Sequence, residues 1–312
     1  MVSARKDLAD SLFGGWLRPD VAVLFSAAMW GTIWVPIREL NGIGWESGVA
    51  AAASTLAGIL CVLPFILPRW REALVTPPMV WFIGFLLGFG VALYWEGMVR
   101  GNVARVVLLF YMMPVWTVVL ARILNREPVT LRRLVGVALG LGGMLVIFSR
   151  EGGMPIPNSV GDYMGLLSGI AWALAFVLCG RPGTEKTTLA QFFISLLFLA
   201  PSVWLLAILP GSRETMALLG PAPGVGMALF WLVSLALVWL LPGMFMTLYG
   251  ADRLKPGQVA IFLMIEVVVA LVSSAVLLDE PFGIPEITGA ALILSASLVE
   301  FLGAGRQRAR AA

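Results

Sequence analysis

ILNREPVTLRRLVGVALGLGGMLV, residues 123–146, lies over VLLDEPFGIPEITGAALILSASLV, residues 276–299, at a constant offset of 153. Glu127-Pro128 meets Glu280-Pro281, Gly136 meets Gly289, and Ala138-Leu139 meets Ala291-Leu292. Moving outward at the same offset, Gly97 and Arg100 pair with Gly250 and Arg253. The front of each copy agrees at an offset of 142, where LFSAAMW (24–30) lies over LLSGIAW (166–172) and pairs Ser26 with Ser168 and Trp30 with Trp172. Chance gives one Glu-Pro coincidence; it does not give this series at fixed offsets. The pattern predicts a duplicated unit.

The unit belongs in a membrane. The 312 residues are 60% hydrophobic and 12% charged, with mean hydropathy +0.94. About a quarter of the residues of an ordinary soluble domain are charged. The apolar residues come in runs of about twenty, the helical length that crosses roughly 30 Å of hydrocarbon. The short alternating segments of a transmembrane barrel are absent. Ten spans are expected, at 20–40, 46–68, 78–98, 103–124, 130–149, 160–180, 187–209, 224–250, 257–278 and 284–303. The fold class is therefore an all-α integral membrane protein with ten transmembrane helices as two five-helix repeats. Segment 1–19 is a cytoplasmic N-terminal stretch, 20–149 and 160–303 are the repeats, and 304–312 is a cytoplasmic tail. The first apolar run carries no small-residue cleavage site, so it is expected to stay as an anchor. The eighth span contains Pro242-Gly243 and is expected to tilt or break there.

Five spans per repeat is an odd number, so the second copy enters the membrane upside down. Loop charges agree. Loop 122–133 is basic, while its counterpart 279–286 holds Asp279, Glu280 and Glu286 with no Lys or Arg. With a cytoplasmic N-terminus, 16 of the 21 Lys and Arg fall on the cytoplasmic side, the positive-inside bias. A multi-pass protein of the bacterial inner membrane with both termini cytoplasmic is expected. The same scattered loop charges account for the pI near 9.1 without nucleic acid as a partner. Inverted repeats are a feature of secondary transporters, whose substrate site lies near mid-membrane where the repeats meet.

These residues also resemble a known family. Five-plus-five spans, with Glu-Pro between the fourth and fifth span of each half, resemble the drug/metabolite transporter superfamily of the EamA type over roughly residues 20–303. Within it, the chain is similar to the bacterial aromatic amino-acid exporter branch. That likeness rests on the tyrosine three residues before a mid-helix proline in FYMMPVW (110–116) and on the tryptophans of AAMWGTIW (27–34) and GIAWALAF (169–176). The resemblance implies export, with alternating access.

Candidate site residues follow from depth and chemistry. FLMIEVVVALV (262–272) carries one acid, Glu266, nine residues into its span and so roughly 13 Å deep. An ionisable group there costs about 2.5–3.5 kcal/mol on insertion scales and ordinarily faces a wet cavity or a partner. The competing reading is a structural acid that pins helices. Phe262 and Ser273 are expected on the same face. Trp30 and Trp172 stand mid-span rather than in the interfacial belt, where Trp16, Trp45, Trp70 and Trp81 fit. Trp34 follows Trp30 by one turn. Tyr111 precedes the break at Pro114, and Tyr94 lies nearer the external end. Trp30, Trp34, Tyr94, Tyr111, Trp172 and Glu266 form the expected substrate-binding set, against plain helix packing as the alternative for the aromatic members. Glu96 and Arg100 read as a surface ion pair, Arg105 as a cation that can meet a substrate carboxylate, and Asn102 as a loop residue. Pro36, Pro114, Pro201 and Pro242 are hinges or tolerated bends. Gly84-xxx-Gly88 and Gly136-xxx-Gly140 read as packing surfaces.

The chain has no histidine, which removes imidazole acid–base chemistry, Ser-His-Asp triads and imidazole metal sites. Cys61 and Cys179 fall within spans and imply no disulfide framework. No P-loop appears, and no cofactor, metal or enzymatic activity is expected. A membrane-embedded transferase needs clustered acids that the sequence lacks. The expected partners are membrane lipid and a small molecule, an amino acid with an aromatic or other hydrophobic side chain. An ammonium group meets the deep acid or the aromatic faces. Export of lipophilic cations is the alternative. Proton coupling, exchange and facilitation stay open, as does the oligomeric state.

Overall fold

The computed structural model describes residues 17–44, 47–67, 75–150, 156–179, 181, 184, 188–207, 225–278 and 282–311. All regular structure among them is helical, as hydrocarbon demands: with no water to satisfy a backbone amide, a spanning segment must close its hydrogen bonds internally. In chain order the helices are α1 Pro19–Thr32, α2 Trp34–Gly42, α3 Ser47–Ile66, α4 Pro78–Arg100, α5 Val103–Phe110, α6 Met113–Leu124, α7 Leu131–Ile147, α8 Val160–Leu178, α9 Thr188–Ala207, α10 Val225–Ser234, α11 Leu241–Ala251, α12 Pro256–Leu263, α13 Ile265–Leu278 and α14 Ile284–Ala311. Among the described residues seven stretches are long and apolar enough to cross a membrane: Pro19–Gly42, Pro78–Arg100, Val103–Leu124, Val160–Leu178, Gly226–Ala251, Pro256–Leu278 and Ile284–Leu302. Helices α3, α7 and α9 occupy the other three expected segments. Trp16, Trp45, Trp70 and Glu280-Pro281 lie outside the described residues.

Starts are marked by polar caps and prolines. Asn102 accepts from the Arg105 amide, Thr130 from the Arg133 amide, and Ser159 with Asp162 closes a capping box on α8. Asn102 is thus a helix cap rather than a mere loop residue. Pro19, Pro78 and Pro256 open their helices, where the missing N–H costs nothing.

Four spans are interrupted. The first breaks at Ile33, three residues before Pro36, and the fourth at Tyr111-Met112, just before Pro114. A proline leaves the carbonyl four residues earlier without its donor, which loosens the preceding turn. The eighth widens into a π-helical stretch over Leu235–Leu240, immediately upstream of Pro242 rather than at it. The ninth breaks at Met264 without a proline; there the side chain fills the space that Gly140 leaves, its sulfur 2.6 Å from where a Cβ would stand. Pro201 lies inside the unbroken helix α9, so no break accompanies it.

Packing recurs at the two offsets noted in the sequence. Ser26 donates to the Gly243 carbonyl (2.8 Å) and Ser168 to the Gly90 carbonyl (2.6 Å). Gly243 admits the Trp30 indole, and Gly90 admits that of Trp172. Gly97 approaches the Gly161 backbone as Gly250 approaches Pro19. Helix α1 packs on α11 and α13; α8 packs on α4 and on α5 and α6. Helices α7 and α14 lie side by side, Gly143 against the Gly289 carbonyl and Gly136 facing Ala296. Gly84 and Gly88 seat α4 on Ile194 and the Ser195 carbonyl, which is packing.

Candidate functional site

A cavity of about 550 Å³ runs through one half of the molecule. Its walls begin abruptly. From the first span it takes Trp30, Ile33, Trp34, Ile37, Arg38 and Asn41, and nothing from 19–29. From α4 it takes residues 91–99 only, ending at exposed Val99. Phe110, Ser168, Trp172, Leu263 and Glu266 complete the deep part, and exposed Val103 stands at the rim. The cavity therefore opens at the end of the molecule that holds Asn41 and Val103, and stops at a floor of Trp30, Trp172, Leu263 and Glu266. Beneath that floor the chain is packed, with Ser26, Thr247, Met113 and Phe176 all buried.

The aromatic walls are held, not loose. Trp172 Nε1 donates to the Leu87 carbonyl (3.2 Å), and its ring meets Phe176 and Phe110 edge-on at 5.6 and 6.1 Å. Phe110 lies against Tyr94 at 4.5 Å. Trp34 Nε1 donates to Ser273 Oγ (3.0 Å), so Ser273 serves the cavity through its tryptophan. Trp30 Nε1 reaches Thr247 Oγ1 at 3.4 Å, a long bond. Each indole N–H has a partner, as a buried indole requires, and the ring faces remain for a ligand.

Glu266 occupies the first turn of α13, created by the break at Met264. A helix N-terminus offers unpaired N–H groups and a partial positive charge, which favours a carboxylate there. Gly31 makes this approach possible: a methyl on it would stand 2.5 Å from the Glu266 carbonyl oxygen. The side chain is partly accessible despite its depth, because the cavity opens onto it.

Five of the six expected site residues, Trp30, Trp34, Tyr94, Trp172 and Glu266, line this one cavity. Tyr111 does not. The break after Phe110 presents the Phe110 ring to the cavity and leaves Tyr111 fully buried behind it, near the Glu266 carboxyl but with its hydroxyl in no well-formed hydrogen bond. Phe262 is likewise buried and outside the lining, because the break at Met264 interrupts the helical face that would join it to Glu266.

Two other expectations change. Glu96 and Arg100 do pair, Arg100 Nε to Glu96 Oε1 at 2.5 Å, but both side chains are largely buried and Glu96 lines the cavity, so this is no surface pair. Arg105 points elsewhere, its Nη1 donating to Asp162 (3.1 Å) and to Asn158 at the start of α8. Arg38, Asn41, Trp95, Phe110 and Ser168 line the cavity without having been singled out for it. Ser168 carried a signal, as the repeat partner of Ser26; Phe110 carried one, as the residue before the break. Arg38 had none beyond its place one turn after Trp34.

Comparison with known proteins follows the same lines. A model of the EamA-like transporter family matches residues 17–149 and again residues 159–301. A protein of Archaeoglobus fulgidus described as an uncharacterized transporter is 24% identical over 292 residues, covering 89% of this chain and 95% of the relative. A second such protein of that organism is 29% identical over 159 residues, covering 51% of this chain and 55% of the relative. The uncharacterized transporter YvbV of Bacillus subtilis is 24% identical, covering 89% of this chain and 90% of its own. A solved crystal structure shares the fold at TM-score 0.70 and 17% identity, covering 91% of this chain and 97% of that one.

Proposed function

The chain belongs to the EamA-like transporter family, a multi-pass membrane transporter, and we propose that it exports amino acids with aromatic or other hydrophobic side chains by alternating access. In this reading ten spans form two inverted repeats, 20–149 and 160–303, in a bacterial inner membrane with both termini cytoplasmic. The cavity then faces the outside. The observation that carries the proposal is the composition of the deep cavity: a floor of Trp30, Trp172 and Leu263 around one acid, Glu266, with Tyr94 in the wall above it. Ligand sites are mostly apolar with a few placed polar groups, and this one matches a molecule with an apolar side chain and an ammonium group. An apolar substrate loses water against the indoles while its ammonium meets the carboxylate.

The repeat supports alternation. Under offsets of 142 and 153 the lining maps onto a second set: Trp34 onto Phe176, Ile37 onto Cys179, Val91 onto Met244, Tyr94 onto Thr247, Trp95 onto Leu248, Glu96 onto Tyr249 and Met98 onto Ala251. These seven are buried, whereas Phe245 and Asp252, the images of Ala92 and Val99, are half-buried. One half-pathway is open and the described part of its image is largely packed, which fits a carrier that exposes one side at a time.

Counterflow in liposomes tests the proposal, with labelled phenylalanine, leucine, serine and one lipophilic cation. Phenylalanine and leucine should exchange above the rate of protein-free liposomes, with serine slower. Uptake of the lipophilic cation alone would overturn the amino-acid reading in favour of cation export.

A further inference from the structure

The cavity is electrically two-ended. Glu266 stands at the floor; Arg38 stands at the mouth, exposed. Trp34, Arg38 and Asn41 follow at i, i+4 and i+7 and so share one face of α2, all three on the cavity. Glu96 adds no net charge to the wall because Arg100 is bonded to it. Arg38 has no such partner: among the described residues no acid forms an ion pair with it, its neighbour Glu39 included. Among the described residues the cavity thus holds one acid without an ion-pair partner deep and one such guanidinium shallow. Their levels follow from the packing. Gly31 abuts the Glu266 carbonyl, and Arg38 comes seven residues later, about 10 Å higher at 1.5 Å per residue. Both residues line the cavity, one at each end of that interval.

We propose that Arg38 determines the substrate class of this cavity by binding a carboxylate. A zwitterion enters with its ammonium toward Glu266, its apolar side chain among the indoles and its carboxylate on the Arg38 guanidinium. This rests on the transport reading above and narrows it. A planar guanidinium matches a carboxylate with two parallel N–H···O bonds, which an ammonium cannot do. A simple amine or a lipophilic cation satisfies the floor but leaves Arg38 unpaired and feels its repulsion. Carboxylate recognition, not aromatic contact, then separates amino acids from hydrophobic cations of the same size.

The test uses the full chain in nanodiscs and follows quenching of its tryptophans, several of which line the cavity. The ligands are L-phenylalanine, phenethylamine (the same ring and ammonium without the carboxylate) and tetraphenylphosphonium. Phenylalanine should bind at least about tenfold tighter than phenethylamine, the low end for a hydrogen-bonded charge pair. Arg38→Gln should erase that ratio by weakening phenylalanine and not phenethylamine, and Arg38→Lys should recover part of it. Equal binding of the two by the wild type, or a ratio unchanged in Arg38→Gln, overturns the role of Arg38 and leaves amino-acid transport standing. Binding of tetraphenylphosphonium alone, or of none of the three, overturns both.

Discussion

Gly90→Ala should damage the cavity without replacing any residue that lines it. A methyl built at Gly90 stands 2.6 Å from Trp172 Cδ1 and 2.9 Å from Nε1, where ordinary contact begins near 3.4 Å. The indole must move by most of an ångström, and it has little freedom to do so. Its N–H is bonded to the Leu87 carbonyl on the same helix as Gly90, and Phe110 and Phe176 close on its edges. Relief comes by tilting Trp172 out of the wall or by parting α4 from α8. Overpacking of this kind costs about 1–3 kcal/mol, partly offset by about 1 kcal/mol of helix propensity gained over glycine, so stability should fall by about 0–2 kcal/mol. Binding should suffer more visibly. An aromatic contact contributes about 0.5–1.5 kcal/mol beyond area burial, so losing the Trp172 geometry weakens an aromatic ligand by about two- to twelvefold. Gly243→Ala is the internal control: its methyl would sit 3.3 Å from Trp30 Cε2, a contact that a few tenths of an ångström relieves. It should bind as the wild type does and melt no lower. Thermal shift in detergent and tryptophan-quench titration with an aromatic amino acid read both effects. Equal behaviour of the two variants, or wild-type binding by Gly90→Ala, would refute the argument.

Glu266→Gln should fold and express normally while counterflow falls at least about tenfold, the loss of one charge-assisted contact; wild-type transport in a folded variant would make the acid structural. Cysteines placed at Gly42 and Val129, both exposed, should label from opposite sides, Gly42 from outside with an impermeant maleimide; the reverse pattern sinks the orientation. Arg132→Gln should cost about 3 kcal/mol because it strands the fully buried Glu300 carboxylate, 3.5 Å away. Glu300→Gln leaves only a guanidinium that water already reaches and should cost less than half as much, so the opposite order of melting temperatures would contradict this. Cys179, buried here as the image of Ile37, should react with a permeant maleimide during exchange and stay protected when the carrier is held in the state with its cavity open. No labelling under turnover would count against alternation.

Much of the site was legible because bilayer depth is written in the sequence. A charged or indole side chain in mid-span has few physical excuses, and Glu266, Trp30 and Trp172 were found that way. Helix breaks were legible where proline causes them, as at Pro36 and Pro114. The break at Met264 was not: no proline stands there, and the residue its side chain packs against, Gly140, is more than a hundred residues away in the chain. That break also decided which neighbours Glu266 keeps: Phe262 drops off its face. Tyr111 shows the same limit from the other side. Depth and the nearby proline pointed to it, but one residue of rotation at the break gives the cavity to Phe110. Arg105 was misassigned for a different reason. Its partner Asp162 belongs to the other half of the chain, and no local pattern announces a pair across 57 residues. Glu96 and Arg100 showed their pairing through i, i+4 spacing, but spacing is silent on whether such a pair faces lipid, water or a cavity.

The offsets divide this molecule into what is duplicated and what is not. Duplicated are the close approaches: Ser26 with Gly243 and Ser168 with Gly90, Trp30 over one glycine and Trp172 over the other, and breaks at Tyr111 and Met264 in corresponding places. These are steric features, and a carrier that exchanges the roles of its halves needs them on both sides. The polar groups that line the cavity are not duplicated. Glu266 corresponds to Met113, Arg38 to Gly180 and Tyr94 to Thr247. On the proposed function, a zwitterion meets both of its counter-charges only on the side open here; at the corresponding sequence position of the other half Arg38 is replaced by glycine, and the grip on the carboxylate is lost. The difference in affinity between the two faces should then equal the contribution of Arg38, about tenfold by the low end for a hydrogen-bonded charge pair. Tight binding at the face with Arg38 and weak binding at its image set the two half-saturation constants apart, and Arg38→Gln should bring them together. On that reading, symmetric sterics move the substrate and asymmetric charge decides which face holds it.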